Sequence, residues 1–254
     1  MRDLKAIVVD NQLISEEILK LKVYLPETLE LQPGNFAMLK IAVKDVFLRR
    51  PFSFADYNPN TGKVTFYIKI AGKGSKALLQ LNPGQEISML LPLGRSFTLR
   101  PGKSLLVAGG IGIAPLNFLA RRLREEGGDI KIIYGIKNNH QLINEVLSEF
   151  PDKVEVYNEA GGLGIHGLIT AGLLKEEFSD YDQIYVCGPT GMLKAIKPII
   201  EEFSGPIEVS LESYMACGFG ACQGCVVKIR NNDEIIYKKV CQDGPVFSFK
   251  DVVL

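Results

Sequence analysis

Tryptophan is absent and histidine occurs only twice. Neither charge sign is in excess, with 29 basic against 29 acidic residues. That balance excludes a long polybasic or polyacidic surface as the main device, so a nucleic-acid partner is not expected. No apolar run approaches the roughly 18 residues that a membrane span needs. The opening Met1-Arg2-Asp3-Leu4-Lys5 has no apolar signal core behind it, so the expected setting is cytoplasmic and reducing. With two histidines, His140 and His166, that fit no triad, hydrolytic machinery of that kind is not expected, and both read as structural or surface residues. At 254 residues and 46% hydrophobic the chain can bury a core without disulfides. Its length allows one large domain or two to three small ones.

Cysteine is scarce but unevenly placed. Cys187 stands alone, whereas Cys217, Cys222, Cys225 and Cys241 crowd the end of the chain. Clustered thiols in a reducing compartment favour a metal centre over disulfides.

The hydrophobic pattern changes twice. Up to about residue 100 it reads as short strands between turns: Lys5 to Asp10, Ile18 to Tyr24, Phe36 to Val43 and Val64 to Ile70. In the last of these Val64, Phe66, Ile68 and Ile70 share one side. Evenly spaced short strands predict a small antiparallel barrel. After Leu99-Arg100-Pro101-Gly102-Lys103, strands alternate with helices. Strands are expected at Ser104 to Ala108, Ile130 to Gly135, Val154 to Tyr157 and Ile184 to Val186. Helices are expected at Pro115 to Glu126, Gln141 to Phe150 and Gly191 to Phe203, the last interrupted by Pro198. Alternation of this kind predicts a parallel sheet covered by helices. From about Leu211 the chain is rich in Gly and Cys and too short for a core of its own, so a metal centre would supply the missing stability. The expected divisions are 1–100, 101–210 and 211–254.

Cys217 to Cys225 has the spacing C-x4-C-x2-C, the plant-type pattern for a [2Fe–2S] cluster, which requires a fourth cysteine further on. Cys241 supplies it if Val226 to Arg230 and Glu234 to Val240 form a hairpin turning at Asn231-Asn232-Asp233. Gly218, Gly220 and Gly224 would let the loop turn sharply and aim backbone N–H groups at the sulfurs. The alternatives are a structural zinc site, for which x4 then x2 is an awkward match, and unliganded buried cysteines. In plant-type ferredoxins the fourth cysteine lies further along, which argues against a whole ferredoxin domain.

Two nucleotide signatures precede this centre. In Arg49-Arg50-Pro51-Phe52-Ser53, Arg50 has a fork suited to phosphate, Ser53 a hydroxyl for a flavin, and Phe52 a flat face. Gly74-Ser75 in Gly72-Lys73-Gly74-Ser75-Lys76 opens a helix and offers N–H groups to a pyrophosphate. In isolation the first motif reads better as a surface Arg beside a buried Phe, and a barrel followed by an α/β segment reverses that preference. Gly109-Gly110-Ile111-Gly112, with Pro115 after it, joins a strand to a helix in a form that suits a dinucleotide pyrophosphate. It also suits an ordinary tight turn. Cys187-Gly188-Pro189-Thr190-Gly191-Met192 ends the last strand, where Cys187 is either a site-lining thiol or a small buried residue.

The order of these motifs resembles the ferredoxin–NADP reductase superfamily, whose R-x-Y-S motif binds flavin. Phe52 here replaces the tyrosine. The tail, Glu212-Ser213-Tyr214-Met215-Ala216-Cys217-Gly218 through Cys241-Gln242-Asp243-Gly244-Pro245-Val246-Phe247, is similar to the electron-transfer subunits of type B dihydroorotate dehydrogenase. That resemblance implies a multi-domain β plus α/β protein: an N-terminal antiparallel flavin-binding β-barrel, a parallel-sheet α/β nucleotide-binding domain and a small C-terminal [2Fe–2S] domain. It implies FAD at Arg50, Pro51, Phe52, Ser53, Ile68, Lys69, Ile70, Gly74 and Ser75. NAD is expected at Gly109, Gly110, Gly112, Cys187, Gly188 and Pro189, and the cluster on Cys217, Cys222, Cys225 and Cys241. It also implies a catalytic FMN-containing partner that turns dihydroorotate into orotate in pyrimidine biosynthesis, assembled as a heterotetramer.

A hydride carries two electrons and a [2Fe–2S] cluster takes one at a time, so a flavin belongs between them. No residue needs to act as general acid or base. Two other readings compete. One keeps the cofactors in a reductase subunit of a hydrogenase or a ferredoxin-linked transhydrogenase. The other is a zinc-stapled, non-redox binding protein. The loop Phe219 to Gln223 is expected to be exposed or to face the partner.

Overall fold

The computed structural model describes residues 1–44, 46–232 and 234–254. Its first part contains β1 (Arg2–Leu13), β2 (Ile18–Tyr24), β3 (Phe36–Leu39), β4 (Arg50–Ser53), β5 (Asp56–Asn58), β6 (Lys63–Lys69), the short helix α1 (Lys73–Leu78) and β7 (Glu86–Leu93). These strands form one antiparallel sheet in the order β4-β3-β7-β1-β2-β6-β5. The sheet curls until β4 touches β6, giving the expected barrel-like shape. Alternation places Ala6, Val8, Leu19, Leu21, Leu39, Phe66 and Met89 inside it, away from water.

β6 departs from simple alternation. Val64, Phe66 and Ile68 are buried as expected, but so are Thr65 and Tyr67 on the opposite face. A helix of the next part covers that face, so both sides of the strand meet protein. The strand also ends at Lys69, which leaves Ile70 outside it. β3 is likewise shorter than the pattern suggested, because the chain turns after Leu39.

The second part comprises β8 (Lys103–Gly109), α2 (Ile113–Glu125), β9 (Asp129–Ile136), α3 (Asn144–Glu149), β10 (Val154–Asn158), β11 (Ile165–His166), α4 (Ile169–Leu173), β12 (Gln183–Cys187), α5 (Thr190–Ile200) and β13 (Ile207–Ser210). Pro115 falls in the first turn of α2, where its missing N–H costs nothing. Pro198 lies inside α5, which stops two residues later rather than reaching Phe203. α3 begins at Asn144, because Asn139–Gln141 is a separate 3-10 turn. The third part holds β14 (Val226–Asn231), β15 (Glu234–Lys239), α6 (Val240–Asp243), β16 (Val246–Ser248) and β17 (Val252–Val253). Asp233 of the expected hairpin turn lies outside the described residues.

The second sheet runs β11-β10-β9-β8-β12-β13-β16. It is parallel up to β13, and β16 closes the edge antiparallel. The third part is thus sewn into the second. Two lysines reinforce the seam: Lys197 of α5 donates to the carbonyls of Phe249 (2.8 Å) and Val252 (2.7 Å), and Lys250 donates to that of Phe203 (2.8 Å). The barrel is fastened as firmly to the second part. Phe118 of α2 inserts into the barrel core, Asn117 donates to the Ala55 carbonyl (3.0 Å) and Arg121 pairs with Asp56 (2.7 Å).

Candidate functional site: two adjoining cavities and a thiol loop

A cavity of about 260 Å³ opens between the barrel and the parallel sheet. Pro51, Phe52 and Ser53 of β4 and Ile68 and Lys69 of β6 line one wall, and Cys187 lies on another. Sequence reasoning did not single out Phe36, Ser210 and Glu212, which also line it. Phe36 and Ser210 come from distant parts of the chain and carry no local signature, and Glu212 was read only as the start of the cysteine-rich tail. Arg50, Ile70, Gly74 and Ser75 are not in this wall. Arg50 lies against Gly74, where an added methyl would be 3.5 Å from the Arg50 Cγ. The Ser75 hydroxyl accepts from the Ala71 (2.9 Å) and Gly72 (3.1 Å) N–H groups and so braces its own turn.

The two arginines of the motif are used differently. Arg49 is committed to the fold, pairing with Asp3 (2.8 Å) and donating to Ser88 (2.9 Å) and to the Met38 carbonyl (3.2 Å). Arg50 donates only to the carbonyls of Leu48 (2.8 Å) and Arg49 (3.3 Å), and has no carboxylate partner among the described residues. A guanidinium so placed keeps its fork for an anion.

A second cavity, of about 250 Å³, lies over the C-terminal ends of β8, β9 and β10. Gly109 and Gly110 line it from one turn and Pro189 and Met192 from another. Gly112 and Gly188 do not. Gly112 is spent on packing: a methyl group there would come within 2.3 Å of the Cys187 carbonyl oxygen, so only glycine lets the two turns meet. Gly188 packs in the same way against Met192. Lys69, Ile111 and Glu212 line both cavities, so the two are adjoining rooms of one cleft.

The electrostatics of that junction follow from burial. Desolvation pushes the Cys187 thiol far up, the charge of Glu212 adds to the effect, and a hydrogen bond with the Ser210 side chain only partly offsets it. Cys187 therefore presents a neutral thiol to the first cavity. Glu212 is solvent-exposed at the mouth of the cleft, yet the protein atoms crowded around it partly desolvate its carboxyl and raise it above the usual range.

The hairpin of β14 and β15 brings Cys241 back to Cys225 as the spacing required. Val240 donates to the Cys225 carbonyl (2.9 Å), and the two Sγ atoms stand 3.2 Å apart. Cys217 and Cys222 form a second pair, with the Cys222 N–H directed at the Cys217 Sγ (3.4 Å). The Cys241 N–H is directed at the Cys225 Sγ at the same distance. Gly218 and Gly220 adopt left-handed backbone (φ 82° and 90°), but the third such position is Gln223 (φ 56°), not Gly224. Desolvation acts to raise the Cys217 thiol, but backbone N–H groups of Cys222, Phe219 and Ala221 overcome it and bring the thiol to about 6. Burial and the neighbouring Cys225 push Cys241 up to about 12. Phe219 and Cys222 are exposed, as anticipated for the outward end of the loop.

Among the described residues no three Cys, His, Asp or Glu side chains converge on one ion-sized point. Two separate thiol pairs, one within the loop and one joining the loop to α6, do not suit a single preassembled ion. They do suit a two-iron cluster, in which each iron takes two thiolates, and the N–H groups aimed at sulfur favour the thiolate form. The donor set therefore fits the cluster.

A barrel-like antiparallel sheet, a glycine-turned parallel sheet and a thiol loop define a class: oxidoreductases that bind FAD, NAD and an iron–sulfur centre on a ferredoxin reductase-like fold. The comparisons agree part by part. Residues 5–97 match the oxidoreductase FAD-binding domain, and 106–198 match the oxidoreductase NAD-binding domain. Residues 212–253 match the iron–sulfur cluster binding domain of dihydroorotate dehydrogenase B. Over the whole of both chains the protein is 36% identical to a dihydroorotate dehydrogenase B (NAD(+)) electron transfer subunit homolog of Aquifex aeolicus. It is 37% identical to the electron transfer subunit of Shouchella clausii, covering 88% of this chain and 87% of that one. Among solved structures, the NADH-dependent reduced ferredoxin-NADP oxidoreductase of flavin-based electron bifurcation superposes with a TM-score of 0.84 at 29% identity, covering 98% and 89% of the two chains. Phthalate dioxygenase reductase shares the fold (TM-score 0.68, 20% identity, covering 93% and 76%).

The chain belongs to the family of dihydroorotate dehydrogenase B (NAD(+)) electron transfer subunits. It is an oxidoreductase subunit that carries electrons with FAD, NAD and an iron–sulfur cluster. Among the described residues no helix is long and apolar enough to cross a membrane.

Proposed function

We propose that this chain passes electrons between a catalytic FMN-containing subunit, which oxidises dihydroorotate to orotate, and NAD+. The route runs through a [2Fe–2S] cluster on Cys217, Cys222, Cys225 and Cys241 and then through FAD. The assembly is a cytoplasmic heterotetramer of two copies of each subunit, and the chain divides at 1–100, 101–210 and 211–254. The observation that carries the reading is spatial order. The dinucleotide cavity opens into the flavin cavity through Lys69, Ile111 and Glu212. Leu211, Met215 and Pro245 wall the flavin cavity, and they flank the cysteine loop in sequence.

Each residue then has a task. Pro51, Phe52, Ser53, Ile68 and Lys69 hold the flavin ring, with Ile70 just beyond the strand end. Arg50, beside Gly74 and Ser75, holds its phosphates. Gly109 and Gly110 admit the dinucleotide, and Cys187 and Pro189 bound the nicotinamide end. Gly112 and Gly188 keep the two turns in contact. The flavin accepts two electrons together and releases them singly, which is why it belongs between a hydride donor and a one-electron cluster. The protein supplies placement and an environment, with no acid–base residue.

Cys222→Ser tests this directly. NADH still bleaches the flavin, while the cluster signal and reduction of the partner are lost. Electron flow to the partner retained in that variant would sink the relay.

The likeness to the NADH-dependent reduced ferredoxin-NADP oxidoreductase favours a second reading, a subunit of a ferredoxin-linked transhydrogenase. Mixing the purified chain with a dihydroorotate dehydrogenase catalytic subunit separates the two. A stable complex that reduces NAD+ with dihydroorotate supports the first reading, and no complex supports the second.

A further inference from the structure

β3 presents two faces. Ala37 and Leu39 point into the barrel core, whereas Phe36 and Met38 belong to the hydrophobic cluster that contains Cys225 and Cys241. Across the ladder Phe36 pairs with Ser53 and Met38 with Pro51. Side chains directly opposite share a face of the sheet. Phe36, Pro51 and Ser53 line the flavin cavity, and Met38, next along the strand from Phe36 on that face and opposite Pro51, is wholly buried beside them.

The other side of Met38 meets the thiol loop. A methyl group on Gly218 would lie 2.5 Å from the Met38 Cγ and 2.9 Å from its Sδ. Real side chains do not approach so closely, so the backbone beside Cys217 rests on the methionine with no space to spare. Gly218 also has a left-handed backbone (φ 82°), which fixes where the loop turns. β3 itself is held from behind, because Arg49, ion-paired to Asp3, donates to the Met38 carbonyl (3.2 Å). Cavity wall, Met38 and Gly218 thus form one line of direct contact.

We propose that Met38 is a positioning residue of the electron route: it fills the space between the flavin cavity and the Cys217–Gly218 backbone and sets their separation. This rests on the reading that flavin occupies that cavity and the cluster the four cysteines. One electron is lost on one side and gained on the other, and no atom moves. Such transfer slows steeply with distance and crosses packed atoms faster than empty space. A flexible, polarizable thioether suits an irregular gap of this kind.

The test uses the full chain with both cofactors bound, and flash photoreduction of the flavin so that hydride transfer does not enter the rate. Met38→Ala leaves a void that surrounding atoms fill only partly. Its cluster reduction should slow about tenfold or more, while flavin bleaching by NADH stays within about twofold of the parent. Met38→Leu, close in volume, should restore the rate. Met38→Val, a smaller cut, should give an intermediate slowing and serves if the alanine variant loads poorly. A readout independent of turnover is a thermal-stability cycle with Gly218→Ala. That substitution should cost more in the parent than in Met38→Ala, where the clash is gone.

Unchanged cluster reduction in loaded Met38→Ala overturns the proposal, as does equal slowing of both half-reactions. Strictly additive stability costs overturn it too. If the parent itself shows no cluster reduction after the flash, the relay reading fails instead.

Discussion

The turn from β8 into α2 is buried and packed on several sides, whereas the loop from Cys217 to Cys225 lies largely at the surface. The first is complete without any ligand. Gly109 meets Met192, Gly112 meets Cys187, and each contact would clash if a side chain were added. The second is fastened by the hairpin at Cys225 and Cys241 and by the rest of Gly218 on Met38. Its outer thiol, on Cys222, is exposed. Nucleotides come and go, so their turn must be preformed. A cluster stays, and its bonds can supply the order that packing does not.

The contrast is sharpest in the cysteines themselves. Cys225→Ser and Cys222→Ser should both abolish the cluster, read as iron content and visible absorbance. Both variants lose the stability that the cluster supplies, and Cys225→Ser should lose about 1–3 kcal/mol more, because its hydroxyl replaces a thiol that is 1% exposed. Equal melting temperatures for the two variants would break the distinction between the buried and exposed ends of the loop.

At the packed turn the expected loss is smaller but lies on the other half-reaction. In Gly112→Ala the new methyl presses on backbone, so the turns must separate at a cost of about 1–3 kcal/mol. The KM for NADH should rise about tenfold, with the cluster spectrum untouched. A normal KM would show that the closeness of the two turns is not needed for dinucleotide binding.

Arg50→Ala removes the one motif guanidinium that has no carboxylate partner among the described residues. FAD should dissociate about 10–100 times more readily, measured by flavin release on dilution, because a hydrogen bond to a charged group contributes about 1.5–3 kcal/mol. Arg49→Ala should instead loosen β3 and lower stability, with FAD affinity affected less. A reversed order of the two effects would contradict the division of labour between them.

The smallest effect concerns Glu212. Desolvation raises its carboxyl, so the folded state holds that proton more tightly than the unfolded chain. Its contribution favours the fold at acid pH and is lost as pH rises through the raised value. Glu212→Gln should therefore gain stability relative to the parent at neutral pH and lose that gain toward pH 4, measured as melting temperature against pH. A difference independent of pH would show that the carboxyl titrates normally.

The same contrast explains what the sequence could and could not reveal. Short-range chemistry was readable. The spacing of Cys217, Cys222 and Cys225 reports the loop, and β14 and β15 follow from two apolar runs about a tight turn. β2 falls at Ile18–Tyr24, where a short strand between turns was expected. Long-range placement was not readable. Three residues from Val246 to Ser248 carry no pattern that tells them to close the edge of a distant parallel sheet. Tyr67 looks like a solvent-facing position until α2 is laid over it. Glu212, Ser210 and Phe36 reach the cavity between the barrel and the parallel sheet only because β13 ends and β3 begins beside it. The glycine of Gly112 was legible, but its use was not, since a close approach between two turns looks in sequence like an approach to a ligand.

An anaerobic titration of the purified chain with NADH, followed by visible absorbance and by EPR on frozen samples, asks whether the three sites form one electron path in the order dinucleotide, flavin, cluster. NADH should bleach the flavin, and a [2Fe–2S] signal should appear on reduction, completed with dithionite. Cys222→Ser should lose the signal and keep the bleaching. A colourless chain that holds zinc and no flavin would contradict that path.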